Sequence, residues 1–345
     1  MSNKSRFFVL LLKMLLCLGA WVLVHGEGAV AHAQTSGQEY FEQGNRLYNA
    51  KKYAEAVASY IKAIQTSPIS QPMAYLNCAR AYSMQNDSLQ AKRYYEFYLQ
   101  VVPEAANDRK VMGEYRAVER KIKKGQTYVR PPAQVSVITQ LEASLSQGGP
   151  FLTRQGGGAF AYYDVLERTG FSEPSIFDYQ KRLVSGLVAE IEREITPLAG
   201  QPLPNLDRIG WENVRHKLGR ATQFPDVSVD KAKFERIEHT ARGWEAYYRG
   251  DYAEAASLFD LASREDAPIL SAFWGLMMAQ FQIASTEAGD VNSVMATIDR
   301  TQRVYAKNSK EGLEGYFALL KAQAYRNVGD IPKSLEWLSI MQEAN

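Results

Sequence analysis

The chain has 345 residues, with 40 Lys and Arg against 38 Asp and Glu. That balance excludes the broad basic footprint expected of a nucleic-acid binder. A hydrophobic share of 46% and a charged share of 23% belong to a folded chain of roughly two domains' length. Two cysteines, Cys17 and Cys78, rule out a disulfide scaffold and a cysteine-rich metal site.

The first segment reads as an address. Met1–Arg6 is short and basic, Phe7–Val24 is an apolar run interrupted by Lys13, and His25–Ala33 is small and polar, ending Ala31-His32-Ala33. These are the three zones of a secretory signal, so cleavage is expected between Ala33 and Gln34, giving a signal peptide over 1–33 and a periplasmic or secreted mature chain. The alternative is an inner-membrane anchor left uncleaved, but Met14–Val24 falls short of the ~20 apolar residues that span a bilayer. The first 33 residues hold Lys4, Arg6 and Lys13 against Glu27, so the rest carries 37 cations against 37 acids. Cys78 is then the lone cysteine of an oxidising compartment and should be buried.

Residues 37–70 and 72–105 align at a constant offset of 35. Tyr40 matches Tyr75, Gly44 Ala79, Leu47 Tyr82, Ala56 Ala91, Tyr60 Tyr95, Ala63 Tyr98 and Pro68 Pro103. The pattern predicts two helix pairs. Small residues belong where the helices meet closely, aromatics fill the gap to the next pair, and Pro closes each second helix. A further amphipathic helix over Glu104–Lys124, with Val111, Met112, Tyr115 and Val118 on one side, is expected to seal the last face. The spacing returns from Gly243, with Ala255, Phe259 and Ala262 following and Gly250-Asp251 as the turn. It returns again from Gly315, with Ala322, Tyr325, Gly329-Asp330, Ser334, Leu338 and Met341. Ile269–Ser285 and Val291–Val304 read as a degenerate pair around a turn at Glu287–Asp290.

These residues resemble the tetratricopeptide repeat, with Gln43 and Cys78 standing where Leu is usual. The resemblance covers about 200 of the mature residues. It implies an all-α helix-hairpin solenoid in two arrays, 34–125 (with its capping helix) and 236–345, joined by a linker and helical middle region over 126–235. It also implies a concave groove, lined by first-helix residues, that takes partner peptides. By the alignment these are Phe41, Asn45 and Tyr48, then Leu76, Arg80 and Met84, and in the second array Thr240, Trp244, Tyr247 and Tyr248. One subfamily clamps C-terminal carboxylates with Lys and Asn. Asn45 and Asn77 occupy its two Asn sites, but Phe41 replaces its first Lys and no Lys/Arg pair follows at matching spacing, which argues against that function. The chain ends straight after the last second helix, so the uncapped C-terminal face is expected to meet a partner or a second copy.

The middle region is less legible. Pro131-Pro132 starts a linker, and Gly148-Gly149-Pro150 and Gly156–Gly158 bracket a loop. Helical periods resume at Ala159–Thr169, Ile176–Ile195 and Arg208–Gln223. Diverged repeats and a separate helical module remain equal readings.

Little points to catalysis. Gly156–Gly158 runs into Ala159-Phe160 without the Lys and hydroxyl of a phosphate loop. His216 and His239 lack ligand partners at metal spacing, and no nucleophile motif occurs. No catalytic residue, metal or cofactor is assigned. Arg116, Arg120, Lys121, Lys123, Lys124 and Arg130 form a basic cluster. It reads either as cations complementing a helix C-terminus or as a surface for an acidic partner or anionic lipid. The resulting expectation is a non-enzymatic scaffold or adaptor of the cell envelope, binding envelope proteins or their peptide segments. The alternatives are an enzyme with its site in 126–235 and a self-associating structural oligomer.

Overall fold

Four hairpin turns share one construction. Lys51, Asn86, Gly250 and Gly329 each take a positive φ, of 61°, 63°, 83° and 80°, and the following residue opens the next helix. Asp87, Asp251 and Asp330 cap those helices by accepting from the backbone N–H of Gln90, Glu254 and Lys333. Lys52, in the same place, makes no side-chain cap. A left-handed residue reverses the chain and a side-chain oxygen satisfies an orphan N–H, which is how two residues join antiparallel helices.

The computed structural model describes residues 28–344 apart from 149, 154–156, 199–200, 287–290 and 309–312. Among the described residues it is all-α, with no strand and fifteen α-helices. They are α1 Gly28–Asn49, α2 Tyr53–Thr66, α3 Met73–Met84, α4 Ser88–Val101, α5 Arg109–Glu119, α6 Pro132–Ser146, α7 Ala159–Arg168, α8 Ile176–Ile195, α9 Arg208–Ala221, α10 Lys231–Arg249, α11 Tyr252–Ala262, α12 Leu270–Thr286, α13 Val291–Asn308, α14 Glu314–Asn327 and α15 Ile331–Ala344. No described helix is long and apolar enough to cross a membrane. Most of the expected signal peptide lies outside the described residues, as does the expected turn at Glu287–Asp290. The expected cleavage site falls within the first two turns of α1, so cleavage there would leave Gln34–Asn49, a helix of about four turns.

The chain divides into two units. The first holds residues 1–186 and 221–228, the second 187–220 and 229–345. Residues 126–235 therefore contribute to both.

In the first unit, α1 to α5 pack each on its sequence neighbour. Gly44 faces the ring of Tyr60, and a Cβ added there would come within 2.5 Å of it. Tyr60, Tyr75, Tyr95, Ala56, Ala63, Ala79 and Ala91 are all buried, and full burial of one large apolar side chain contributes ~1.5–3 kcal/mol. Cys78 is fully buried, and burial pushes its thiol well above the ordinary range. Pro68 and Pro103 follow the ends of α2 and α4. The expected continuous helix over Glu104–Lys124 is instead a 3-10 turn, Pro103–Asn107, followed by the shorter α5. Asp108 breaks the run by capping α5, accepting from Lys110 and Val111 N–H.

The rest of this unit lies against α2 and α4. Pro132, expected in a linker, is the first residue of α6, where a missing N–H costs nothing. Gln65 Nε2 donates to the carbonyls of Glu167 and Phe171 at 2.8 and 3.0 Å, and Gln180 Nε2 to Gln65 O and Tyr163 Oη at 2.7 and 2.8 Å. Tyr94 is hydrogen-bonded to Ser172. Glu173 takes Arg93 at 2.5 Å and Arg130 at 2.6 and 3.0 Å, while Arg93 lies 3.7 Å over the Tyr128 ring. Residues 221–228 return here: Phe224 stacks on Phe160, and Asp226 accepts from the N–H of Ile69 and Ser70 and from the Ser70 hydroxyl. Gly158, with φ +83°, permits Pro150 and Phe151 to fold over the start of α7; a Cβ there would strike both their carbonyl oxygens.

In the second unit, α10 to α15 again pack as consecutive neighbours. Gly243 meets Phe259 as Gly44 meets Tyr60, sixteen residues apart in both cases, with an added Cβ 2.7 Å from the ring. Lys217 is buried between Glu190 and Glu194, and Arg215 joins Glu238 and Glu245 at 3.0 and 2.9 Å.

Candidate binding surface

A line of polar side chains runs across α1, α3 and α5, the first helices of successive pairs. Tyr60 Oη and Asn77 Nδ2 both donate to Asn45 Oδ1, at 2.8 and 3.0 Å. Arg80 Nη1 donates to Asn77 Oδ1 at 3.4 Å. Its Nε and Nη2 donate to the two oxygens of Glu114, at 2.8 and 3.2 Å. Tyr95 Oη completes the line on Glu114 at 3.0 Å. Arg80 and Glu114 are 34 positions apart, within one residue of the offset of 35 between the first two copies, so successive first helices bring them face to face.

The electrostatics follow from partial burial. Desolvation works against the Arg80 charge, but the hydrogen bonds and charge of Glu114 outweigh it and hold the guanidinium above its ordinary range. Burial pushes the Tyr60 hydroxyl up to about 12 and raises those of Tyr48 and Tyr95. These hydroxyls stay neutral donors at ordinary pH. The line is a set of hydrogen-bond donors and acceptors with one ion pair, and it holds no nucleophile–base pair.

Around it stand the other residues that the sequence assigns to the groove. Phe41 and Tyr48 occupy one face of α1 with Asn45, at i, i+4 and i+7. Both are half-buried, Phe41 6.0 Å from the Tyr60 ring and Tyr48 edge-on to Tyr53 at 5.3 Å. Met84 is exposed at the end of α3. Leu76 is a correction: at 2% exposure it is core, because it points from α3 into the packing against its neighbours.

The second unit corrects the aromatic part. Trp244 is 3% exposed, stacked on Trp211 at 6.0 Å and edge-on to Phe259 at 5.1 Å. Thr240 is buried too, donating to Arg236 O. Tyr247 is half-buried against Trp244 and Tyr252. Tyr248 is exposed but donates to Leu206 O at 3.3 Å. Residues 206–215 thus cover the face of α10 that the sequence reads as open. The signal for this was Trp211, a large aromatic in the Arg208–Gln223 period. Glu114 was the other residue missed; its place within one residue of the 35-residue offset from Arg80 was the available signal.

The basic residues Arg116, Arg120, Lys121, Lys123 and Lys124 are all exposed, on α5 and just beyond it, while Arg130 is half-buried on Glu173. Between α4 and this segment lies an open cavity of about 390 Å³ lined by Leu89, Lys92, Glu96, Ile122 and Tyr128 among others. Its charged residues are already paired, Lys92 bridging Glu96 at 3.5 Å and Glu119 at 3.6 Å. His216 is exposed and His239 half-buried. No protein-family model matches the chain, and no curated protein matches it either.

Proposed function

We propose that the protein is a tetratricopeptide-type, non-enzymatic scaffold of the cell envelope, and that it binds a partner peptide along the α1/α3/α5 face. The repeat reading is supported by the equal Gly44–Tyr60 and Gly243–Phe259 contacts and by the shared turn construction. The observation that carries the binding proposal is the Asn45–Asn77–Arg80–Glu114 line. It places polar groups at repeat spacing beside the accessible Phe41, Tyr48 and Met84, and interfaces use such mixtures of aromatic anchors and Arg. With Trp244 buried and Tyr248 bonded to Leu206 O, the α10 face expected as the second groove is closed, so the peptide site is assigned to the first unit.

Site-specific photo-crosslinking tests this. A crosslinker replacing Tyr48 or Met84 should capture a defined envelope partner, and one replacing Tyr316 should not. Equal capture from all three positions would defeat the assignment.

Self-association is favoured by a separate observation. Ile331 and Leu335, one turn apart on α15, are 51% and 60% exposed. A concentration-dependent mass in sedimentation that Leu335→Asp abolishes would support it; a monomer at all concentrations would dismiss it.

A further inference from the structure

We propose that the outer face of α5 and the residues following it dock on an anionic lipid surface. The inner face of α5 is set by Val111, Tyr115 and Val118, which pack into the unit. The opposite face therefore points to water, and helical spacing places Arg109, Gly113, Arg116 and Arg120 along it at i, i+4, i+7 and i+11, with Lys110 and Ala117 beside them. All six are exposed. Lys121, Lys123 and Lys124 extend the strip beyond the helix. Its two acids face elsewhere: Glu114 is held by Arg80 at 2.8 Å and Glu119 by Lys92 at 3.6 Å. None of these seven cations forms an ion pair among the described residues.

Shape and composition choose the occupant. Gly113 has open space where a side chain would stand, and Ala117 is small, so the strip is flat between its cations. A protein partner is normally held by buried aromatic anchors in a surface poor in Lys, and this strip has Lys and no aromatic. A single-stranded nucleic acid needs rings for its bases to stack on, and these are missing too. A dense, flat array of cations matches a charged bilayer surface, where clusters of four to eight Lys and Arg bind.

The test is co-sedimentation of the full chain with phosphatidylcholine vesicles, with and without 30% phosphatidylglycerol. Neutral vesicles measure any contribution of the N-terminal apolar segment. Anionic vesicles should bind at least tenfold more protein at 50 mM salt, and 500 mM salt should erase the difference. Arg116→Glu, Arg120→Glu and Lys124→Glu together should lower the anionic binding by roughly tenfold or more, since each cation near such a surface contributes about fivefold. Lys121→Gln with Lys123→Gln is the milder check and should give a smaller loss. Equal binding to both vesicles, or anionic binding that survives the triple reversal, overturns the proposal. So does tighter binding of the strip to DNA than to vesicles. Arg80→Ala with Glu114→Ala should leave vesicle binding unchanged, which separates this surface from the peptide face.

Discussion

Arg80 grips Glu114 through two parallel hydrogen bonds, at 2.8 and 3.2 Å, across helices one repeat apart. Both side chains are about a quarter exposed, so solvent screens the pair but does not dissolve it. Such forked pairs are the stronger kind of ion pair. Arg80→Ala alone should cost about 1–2 kcal/mol, because Glu114 is left without its cation. The double variant Arg80→Ala, Glu114→Ala should cost less than the sum of the two singles. Urea denaturation in a double-mutant cycle reads the coupling, and strict additivity would mean that the pair holds nothing together.

The close helix crossings give a second prediction. Gly44→Leu should destabilise the first unit by ~3 kcal/mol or more, since the added atoms run into the Tyr60 ring and overpacking of this kind is poorly absorbed. Gly243→Leu should do the same against Phe259. Calorimetry should show the two variants lowering different transitions, if the two units melt separately.

The turns offer the opposite sign. Lys51 stands at φ 61° where its counterparts include glycine, and left-handed backbone costs a side chain roughly 1–2 kcal/mol. Lys51→Gly should raise stability by about 0.5–1 kcal/mol after the greater freedom of glycine in the unfolded chain is subtracted. Lys52→Asp should add the cap that Asp87, Asp251 and Asp330 already supply, for about 1 kcal/mol. A lower melting temperature for Lys52→Asp would show that its loss of Glu55, 3.6 Å away, outweighs the cap.

Alkali should open the first unit. A folded-state value of about 12 for Tyr60 lies above the ordinary 10, so the fold favours the neutral hydroxyl. That contribution is complete below pH 10 and is lost as the pH rises from 10 through 12. Stability measured by urea at pH 9, 10.5 and 11.5 should therefore fall, and less steeply for Tyr60→Phe. Tyr60→Phe also removes a donor to Asn45, but Asn77 still serves that oxygen.

What could be read beforehand divides along physical lines. The small sites such as Gly44 and the aromatics such as Tyr60 were legible because they recur at a fixed offset, but the sequence assigns those aromatics to the gap to the next pair, whereas the Tyr60 ring lies on Gly44 of its own pair. The shared face of Phe41, Asn45 and Tyr48 on α1 was legible from helical phase, but not that both rings are half-buried against Tyr60 and Tyr53. Burial of Trp244 was not, because the residue that covers it, Trp211, lies in another helix and nothing local marks the pairing. Leu76 was misread for the same reason: phase places it near the groove, but the packing of α3 decides which side of the boundary it takes. The role of 126–186 was hidden because its attachment to α2 and α4 runs through single polar side chains, Gln65, Tyr94 and Gln180, which carry no periodicity.

The return of residues 221–228 to the first unit bears on the order of synthesis. Asp226 follows Ile69 by 157 positions, and Phe224 follows its partner Phe160 by 64. At translation rates of ~5–20 residues per second, the Ile69–Ser70 loop waits on the order of 10–30 s for its acceptor. For the last part of that interval, about 3–13 s at the same rates, the Phe160 ring has been made but lacks Phe224. The helix pairs α1 to α5 can form at once from local contacts, which close quickly. The nascent chain therefore passes through a stage with a finished front and an unfinished back, and that stage is when a protease or a holding chaperone has its opportunity.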